Sequence, residues 1–259
     1  RRMDAVLSVS EPELALSLHE LDHILALQQA ICVLVASGEP YLEVINETCR
    51  MAEHLLPGAV ASCMSLDPAT GLMSVLAAPN MPPAGIQRLK HIKPGPGNGS
   101  CGNAVFHNEP VFVYNTLTDA RWRNLRQLAV DFNLCSCWSV PVQNEQGQAI
   151  GSFALSSFEH REPSSFHKRL LEVGAALISI VLMRHLQQQQ LQAEKELDAL
   201  TGLPNGSGLV TALSQVSPSA ALVLLNLNNL GLISARYGVA TGDRLLKAFA
   251  GALQQLVGA

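Results

Sequence analysis

A break in a long helical pattern most constrains how this chain can fold. Residues 164–200 are patterned as one continuous helix. One side of this helix carries a stripe of apolar or small residues spaced three or four positions apart, at Leu170, Gly174, Leu177 and Val181. A segment rich in glycine, proline and asparagine, Thr201–Gly206, follows and ends the helix. The pattern predicts two folded parts joined by a helix.

The second half of this helix turns polar at Gln187–Gln190. A long helix whose apolar stripe gives way to a polar stretch is typical of a connector that pairs with a second copy of itself. The alternative is a helix that packs against its own domain. We predict a homodimer.

The predicted boundaries are a first domain over residues 12–163, a connector helix over 164–197 and a second unit over 198–259.

Composition excludes one class of partner. The 259 residues include 17 Lys and Arg against 21 Asp and Glu, a formal net charge of −4 at pH 7. A nucleic-acid binder needs a basic face, so we expect no nucleic-acid partner. Apolar residues make up 48% of the chain and charged residues 15%, which provides ample material for a buried core.

Neither a membrane partner nor secretion is expected. The longest nearly apolar run, Val173–Met183, is too short to span a bilayer. The N-terminal residues Arg1–Asp4 lack the apolar core of a signal peptide. Six cysteines in a chain of this length are too sparse for a disulfide scaffold. These features favour a reducing, cytoplasmic location.

Periodicity predicts an α+β fold for the first part. Two helices come first, over about residues 11–38 and 41–56. The apolar stripe of the first helix consists of Leu14, Leu18, Leu21 and Leu25. Strands are predicted near residues 60–66, 72–77, 111–114, 136–142 and 150–156. Short helices are predicted over residues 83–91, 101–107 and 121–131. We expect a central antiparallel sheet flanked by helices.

Four separated segments of this part carry a recognisable order and spacing. They are residues 99–104 (Gly-Ser-Cys-Gly-Asn-Ala), 119–122 (Asp-Ala-Arg-Trp), 137–142 (Cys-Trp-Ser-Val-Pro-Val) and 147–153. Together they resemble a bacterial GAF sensory domain, over about residues 16–185. The resemblance implies a ligand pocket walled by the central sheet and by the helix that begins near Cys101.

Six residues of these segments are candidates to line or gate that pocket. Backbone N–H groups over Ser100–Asn103 lie at a helix start and suit an anionic ligand. Arg121 adds a charge and Trp122 a stacking face, while Trp138 has core packing as its alternative role. The candidates are Ser100, Cys101, Arg121, Trp122, Cys137 and Trp138. The sequence assigns no catalytic residue, metal ligand or known cofactor.

Two further segments, Asp198–Asn205 (Asp-Ala-Leu-Thr-Gly-Leu-Pro-Asn) and Gly242–Leu246 (Gly-Asp-Arg-Leu-Leu), lie beyond the helix. They resemble the GGDEF domain, the fold of diguanylate cyclases. The resemblance implies a partial α/β unit, because the sequence stops at Ala259 before a Gly-Gly-Asp-Glu-Phe loop. We expect the natural protein to be longer, and the resemblance suggests that a cyclic di-GMP phosphodiesterase domain follows.

This second unit departs from the GGDEF pattern at the nucleotide site. The family has two aspartates at the end of its first core strand, and these positions are Asn226 and Asn228 here. A neutral amide oxygen is a poor substitute for a carboxylate that faces a hard cation. Three further family positions are replaced, at Gly231, Ser234 and Ala235. Only Asp243 is retained as a nucleotide contact, so we predict a degenerate unit without cyclase chemistry.

Three other chemistries have some support in the sequence. His19–His23 (His-Glu-Leu-Asp-His) matches the H-E-x-x-H pattern of zinc proteases, although the polar face of an amphipathic helix also explains it. A thiol enzyme resembling the free methionine sulfoxide reductases is suggested by Cys101, Cys135 and Cys137, whose alternative role is inert packing. Candidates to ligate haem are His54, His91 and His107.

These features together predict a sensory and regulatory module of a cyclic di-GMP signalling protein. Its GAF domain binds an unidentified small molecule, and a dimeric helix relays the bound state to a catalytically inactive GGDEF unit. Two alternatives stay open. One is a ligand-free GAF domain that serves for dimerisation, and the other is a thiol-dependent enzyme similar to methionine sulfoxide reductases.

Overall fold

Five antiparallel strands organise the first part of the chain. This is a computed structural model, and it describes residues 16–216, 221 and 223–257. The strands are β1 (Ala59–Leu66), β2 (Met73–Ala77), β3 (Val111–Val113), β4 (Ser136–Gln143) and β5 (Ala149–Ser157). They form one sheet in the order β2-β1-β5-β4-β3, with every neighbouring pair antiparallel. The predicted α+β class with a central antiparallel sheet is confirmed.

Helices surround this sheet and complete a first compact unit, which ends at His185. They are α1 (Leu18–Ala36), α2 (Tyr41–Leu55), α3 (Pro83–Arg88), α4 (Gly99–His107), α5 (Arg126–Asp131) and α6 (Ser165–Lys195). The helix predicted over residues 121–131 is interrupted, because Ala120–Trp122 forms a 3₁₀ turn and α5 begins only at Arg126.

The two faces of the sheet carry different side chains, because successive residues of a strand point to opposite sides. On one face, Trp138, Phe153 and Leu155 pack with α1, α2 and α6 in the larger core. The opposite face has small residues on β4 and β5, including Ser139 and Ala154, both fully buried. Helix α4 packs directly on β4 and β5. The small side chains allow this close approach.

The face of α1 that packs against the core is not the face that carries the stripe of leucines. Ile24, Leu27 and Ile31 are buried, whereas Leu18, Leu21 and Leu25 are 83%, 48% and 53% exposed; Leu14 lies outside the described residues. The stripe predicted for the core is therefore wrong. Helix α1 is apolar on several sides, so periodicity alone does not determine which side is buried.

The apolar stripe of α6 is occupied by its own domain. Leu170 and Val181 of that stripe are buried in the larger core. A side chain at Gly174 would place its Cβ 2.5 Å from Cε1 of Phe153, so helix and sheet are in close contact. This part of the stripe covers the sheet of its own domain. The homodimer stays a prediction.

The second unit, Leu186–Ala259, contains the helices α7 (Gly206–Ser214), α8 (Leu230–Tyr237) and α9 (Val239–Val257). The described residues 223–225, where a strand is expected before Asn226, form no strand. Residues 223–227 have no regular structure, and Val223 and Leu224 are exposed. A strand needs a neighbour to pair its backbone groups, and the described part of this unit offers only an isolated bridge between Leu197 and Pro204.

Two helices meet the length and composition of a membrane span, Leu18–Ala36 and Ser165–Gln192. In the second, half of the apolar window is buried inside the structure, as in the core helix of a folded domain; in the first, 17% is buried. Such helices are weak evidence for a membrane, and the absence of a membrane partner stays a prediction.

The contact between Gly174 and Phe153 predicts that Gly174→Ala lowers the free energy of unfolding. In an open helical position Gly174→Ala would stabilise the fold by about 1 kcal/mol through helix propensity. Here the added methyl group overlaps the Phe153 ring, so we expect a net loss of about 1–3 kcal/mol in the free energy of unfolding. Urea denaturation followed by circular dichroism measures it.

The control is Ala176→Ser, on the exposed side of the same helix, which should change stability little. Phe153→Leu in the Gly174→Ala background should recover part of the loss, since it removes the overlapping ring. A Gly174→Ala protein more stable than the wild type would contradict the close packing of α6 on β5.

Candidate functional site

A small cavity lies beneath the first turn of α4, on the sheet face opposite the larger core. Its volume is about 30 Å³, which is enough for at least one water molecule. Four of the six predicted residues line it, namely Ser100, Cys101, Trp122 and Cys137. None of the described lining residues has a side chain that is charged at neutral pH when its pKa is unshifted.

Ser100 joins three elements around this cavity. Its hydroxyl donates to the backbone carbonyl of Cys137 at 2.9 Å and accepts from the indole N–H of Trp122 at 3.0 Å. Ser100 is fully buried and Trp122 is 4% exposed. Because each polar group here already has a partner, the site is held rigidly from within.

The thiols of Cys101 and Cys137 interact inside the cavity. A hydrogen bond with Cys137 is the main cause that lowers the pKa of Cys101 to about 7, and the Ser139 and Ser152 hydroxyls act in the same direction. The same hydrogen bond, together with burial, raises the pKa of Cys137 well above its usual range. Cys101 therefore has thiolate character near neutral pH, while Cys137 keeps its proton.

The loop before α4 is fixed on both sides of the cavity. The Asn98 side chain donates to the Lys93 carbonyl and accepts from the Asn124 amide, each at 2.8 Å. Gly99 has a φ of +77°, and a Cβ there would lie 3.0 Å from Cδ1 of Leu125. Glycine at this position thus permits both the left-handed backbone and the close contact.

Arg121 does not line the cavity. Its guanidinium bonds both carboxylate oxygens of Asp119, at 2.9 and 2.6 Å, and the Phe112 carbonyl at 3.2 Å. The hydrogen bond with Asp119 raises the pKa of Arg121 and lowers that of Asp119. Arg121 is bound within its own turn, so the charge expected for an anionic ligand is absent from the cavity lining.

Trp138 lies on the opposite side of the sheet from Cys137. It is fully buried in the larger core, where its ring stacks on His167 at 5.2 Å. Adjacent residues of a strand face opposite ways, so Cys137 and Trp138 cannot both line one cavity. The structure corrects this assignment in favour of core packing.

Sequence reasoning missed several lining residues. Ser62, Met64 and Ser156 line the cavity from β1 and β5, and Met81 closes it from the loop before α3. The alternation Ser152, Ala154, Ser156 on β5 was the available signal, because a run of small residues on one strand face indicates a closely packed neighbour. Nothing in the local sequence indicates Met81.

The histidine motif of α1 has a structural role. Glu20 accepts hydrogen bonds from the backbone N–H and the hydroxyl of Ser17, each at 2.8 Å, as the capping box that starts the helix. Among the described residues, no group of three or more His, Cys, Asp and Glu is placed to hold a metal ion. The haem candidates His54, His91 and His107 are exposed and do not line the cavity.

In the second unit the Asp198–Asn205 motif builds a turn and a helix cap. Asp198 accepts the backbone N–H and the hydroxyl of Thr201 at 2.9 and 2.7 Å, and the Thr201 hydroxyl is the main cause that lowers the pKa of Asp198. Asn205 caps α7 by accepting from Ser207 and Gly208. Asn226 and Asn228 are exposed and bond each other at 3.4 Å. Asp243 is partly exposed on α9.

The family model described as "GAF domain" matches residues 40–183, more than half of the chain. The model described as "Diguanylate cyclase, GGDEF domain" matches residues 195–259. The chain belongs to the GAF domain family, and a GGDEF segment follows the GAF domain.

Two curated proteins are similar to this chain. A methyl sulfide methyltransferase-associated sensor of Methanosarcina acetivorans is 24% identical over 68% of the chain and 18% of its own length. The diguanylate cyclase DgcP of Escherichia coli is 27% identical over 56% of the chain and 46% of its own length. The chain thus spans less than half of each of these relatives.

Among solved structures, the GAF domain of an Acinetobacter phosphoenolpyruvate-protein phosphotransferase superposes with a TM-score of 0.55. It is 17% identical, and the match covers 68% of this chain and 99% of that domain. At this identity the likeness concerns the fold alone, and it agrees with the sheet and helices described above.

The bonds of Ser100 predict a measurable coupling with Trp122. Ser100→Ala leaves the buried indole N–H without an acceptor, so we expect a loss of about 1–3 kcal/mol in the free energy of unfolding. Trp122→Phe removes the same N–H. The double variant should therefore lose less stability than the sum of the two single variants, as measured by urea denaturation. Strict additivity would show that the bond contributes nothing.

Proposed function

We propose that this chain is the sensory and regulatory segment of a cyclic di-GMP signalling protein, with the cavity beneath α4 as its input site. The observation that carries the proposal is the succession of a GAF domain, with a cavity between its sheet and α4, and a GGDEF segment. One of the similar curated proteins is a sensor and the other a diguanylate cyclase, which supports this assignment. The proposed location is cytoplasmic.

The cavity favours a small, uncharged ligand. Its lining is apolar apart from hydroxyl, amide, thiol and indole groups such as those of Ser62, Asn98 and Cys101. Arg121 is bound to Asp119 instead, so an anion would enter without a counter-charge, at a large desolvation cost.

We place the relay in α6, because this one helix begins in the sensory core and extends beyond it. Phe166, Leu170 and Leu171 are buried near its start, while the helix continues to Lys195, outside the first compact unit. A ligand that binds two arrangements of the core with unequal affinity would shift the position of α6. The exposed leucines of α1, Leu18, Leu21 and Leu25, form the proposed homodimer surface.

A second candidate function is a ligand-free dimerisation module. The observation that favours it is the small size of the cavity, which the side chains of the domain nearly fill. In that case the exposed leucines of α1 would carry the biological role of the first unit, and the cavity would be only a packing defect.

Native mass spectrometry of the full chain distinguishes the two functions. We expect a dimer that carries a small adduct. Ser62→Leu, which fills the cavity from β1, should remove the adduct because the added methyl groups occupy its space. Ser65→Leu is the matched control, since residue 65 points to the other side of the same strand. A wild-type dimer without any adduct would favour the dimerisation module.

We propose that the second unit makes no cyclic di-GMP, because amide groups at Asn226 and Asn228 replace the carboxylates that the GGDEF resemblance requires. The purified chain incubated with GTP and Mg²⁺ should give no product by chromatography. An active diguanylate cyclase assayed in parallel is the positive control. Product formation above the enzyme-free background would refute the proposed inactivity.

A further inference from the structure

Two cysteines meet in the cavity from different elements of the fold. Cys101 lies in the first turn of α4 and Cys137 on β4, and both line the cavity. The hydrogen bond from Ser100 to the Cys137 carbonyl, 2.9 Å long, holds that turn against that strand. Cys101 also packs against the buried cluster that contains Cys137. The two thiols are therefore neighbours within one cluster.

The other four cysteines are separated from this pair. Cys49 and Cys63 belong to the larger core on the opposite side of the sheet. Cys32 is exposed on α1. Cys135 precedes β4, outside the cavity lining, and its thiol faces the Asn133 side chain at 3.7 Å. Among the described residues, only Cys101 and Cys137 are thiols that share the cavity.

The surroundings of Cys101 favour its reaction with an oxidant. The neighbouring Cys137 thiol is the main cause that lowers the pKa of Cys101 to about 7, so a large fraction is thiolate at neutral pH. Cys101 is only partly buried, while Cys137 is fully buried. Cys101 is thus the thiol that a reagent in the cavity meets first.

We propose that Cys101 and Cys137 form a reversible disulfide when a small peroxide enters the cavity, so that this site reports oxidants. The inference rests on the proposed function, since it takes the cavity as the input site and names the chemical class of the signal. A cavity of about 30 Å³ has room for a molecule near the size of water, such as hydrogen peroxide.

The chemistry balances in two steps. The Cys101 thiolate attacks one oxygen of hydrogen peroxide, the O–O bond breaks, and a sulfenic acid forms as hydroxide leaves and takes a proton to become water. The Cys137 sulfur then attacks the Cys101 sulfur, an S–S bond forms, the S–O bond breaks, and a second water leaves with the Cys137 proton. In total, two thiols and one peroxide give one disulfide and two waters, and a dithiol reductant reverses the change.

The bond would tie α4 to β4 covalently. In the reduced form, the first turn of α4 is held to the strand by the single Ser100 hydrogen bond and by packing. A disulfide fixes the same two elements at a defined distance and removes both thiol protons from the cavity. The sensory unit then has two discrete covalent states, which a relay helix can report.

The test is disulfide mapping on the full chain. The reduced protein is treated with hydrogen peroxide, free thiols are blocked with N-ethylmaleimide after mild denaturation, and tryptic peptides are analysed by mass spectrometry. We expect the number of blocked thiols to fall from the six in the sequence to four, and dithiothreitol to restore all six. The Cys101 peptide should be cross-linked to the peptide that contains Cys137.

Cys135 and Cys137 share a tryptic peptide, because no Lys or Arg lies between Arg126 and Arg161. The variants therefore decide which one reacts. Cys101→Ser and Cys137→Ser should each abolish the cross-link, whereas Cys135→Ser should leave its yield unchanged. Near-ultraviolet circular dichroism verifies that each variant is folded, and Cys137→Ala is a second variant should Cys137→Ser unfold.

Two results would overturn the inference. One is a cross-link that persists in Cys137→Ser and disappears in Cys135→Ser; the other is that both cavity thiols stay open to N-ethylmaleimide after peroxide. Either result leaves the proposed function standing if native mass spectrometry finds a cavity adduct. A mapped Cys101–Cys137 disulfide without any such adduct supports the inference. It also shows that the proposed input site holds no resident ligand.

Discussion

The close packing of α4 on the central sheet is the contact on which the first unit depends. It requires small residues at Ser139, Ser152 and Ala154, which are fully buried, and a left-handed glycine at the start of the helix, Gly99. The same contact limits the cavity to about 30 Å³. The geometry of the site therefore follows from a packing requirement.

Much of the fold could be predicted, because the five strands alternate or carry apolar runs between clear turns. All five predicted strands are present within a few residues of their predicted bounds. Helix faces were harder to predict. On α1 the buried residues are Ile24, Leu27 and Ile31. They lie on a side of the helix adjacent to that of the predicted leucines. Apolar residues lie on several sides of this helix, so periodicity does not determine the buried side and only the tertiary contacts decide.

The site was predicted in part for a similar reason. Residues near the start of α4 line the cavity, in the turn that the family resemblance indicates, and their binding of a ligand stays a prediction. Trp138 belongs to the same motif as Cys137, although the two-residue period of a strand separates them onto opposite faces. Arg121 was assigned for its charge, but its own turn supplies Asp119 as a partner. Local sequence does not show whether a charged side chain is already neutralised.

A tight cavity also restricts how the sensory unit can work. A larger ligand would have to move α4 away from β4, which breaks the Ser100 bonds to Cys137 and Trp122 and exposes the small-residue face of the sheet. The apparent affinity for such a ligand is the affinity of the open form multiplied by the fraction of molecules that are open at equilibrium. A molecule near the size of water needs no opening, and covalent reaction retains it without a large contact surface. The packing that closes the cavity thus favours a signal that is read by chemistry rather than by shape.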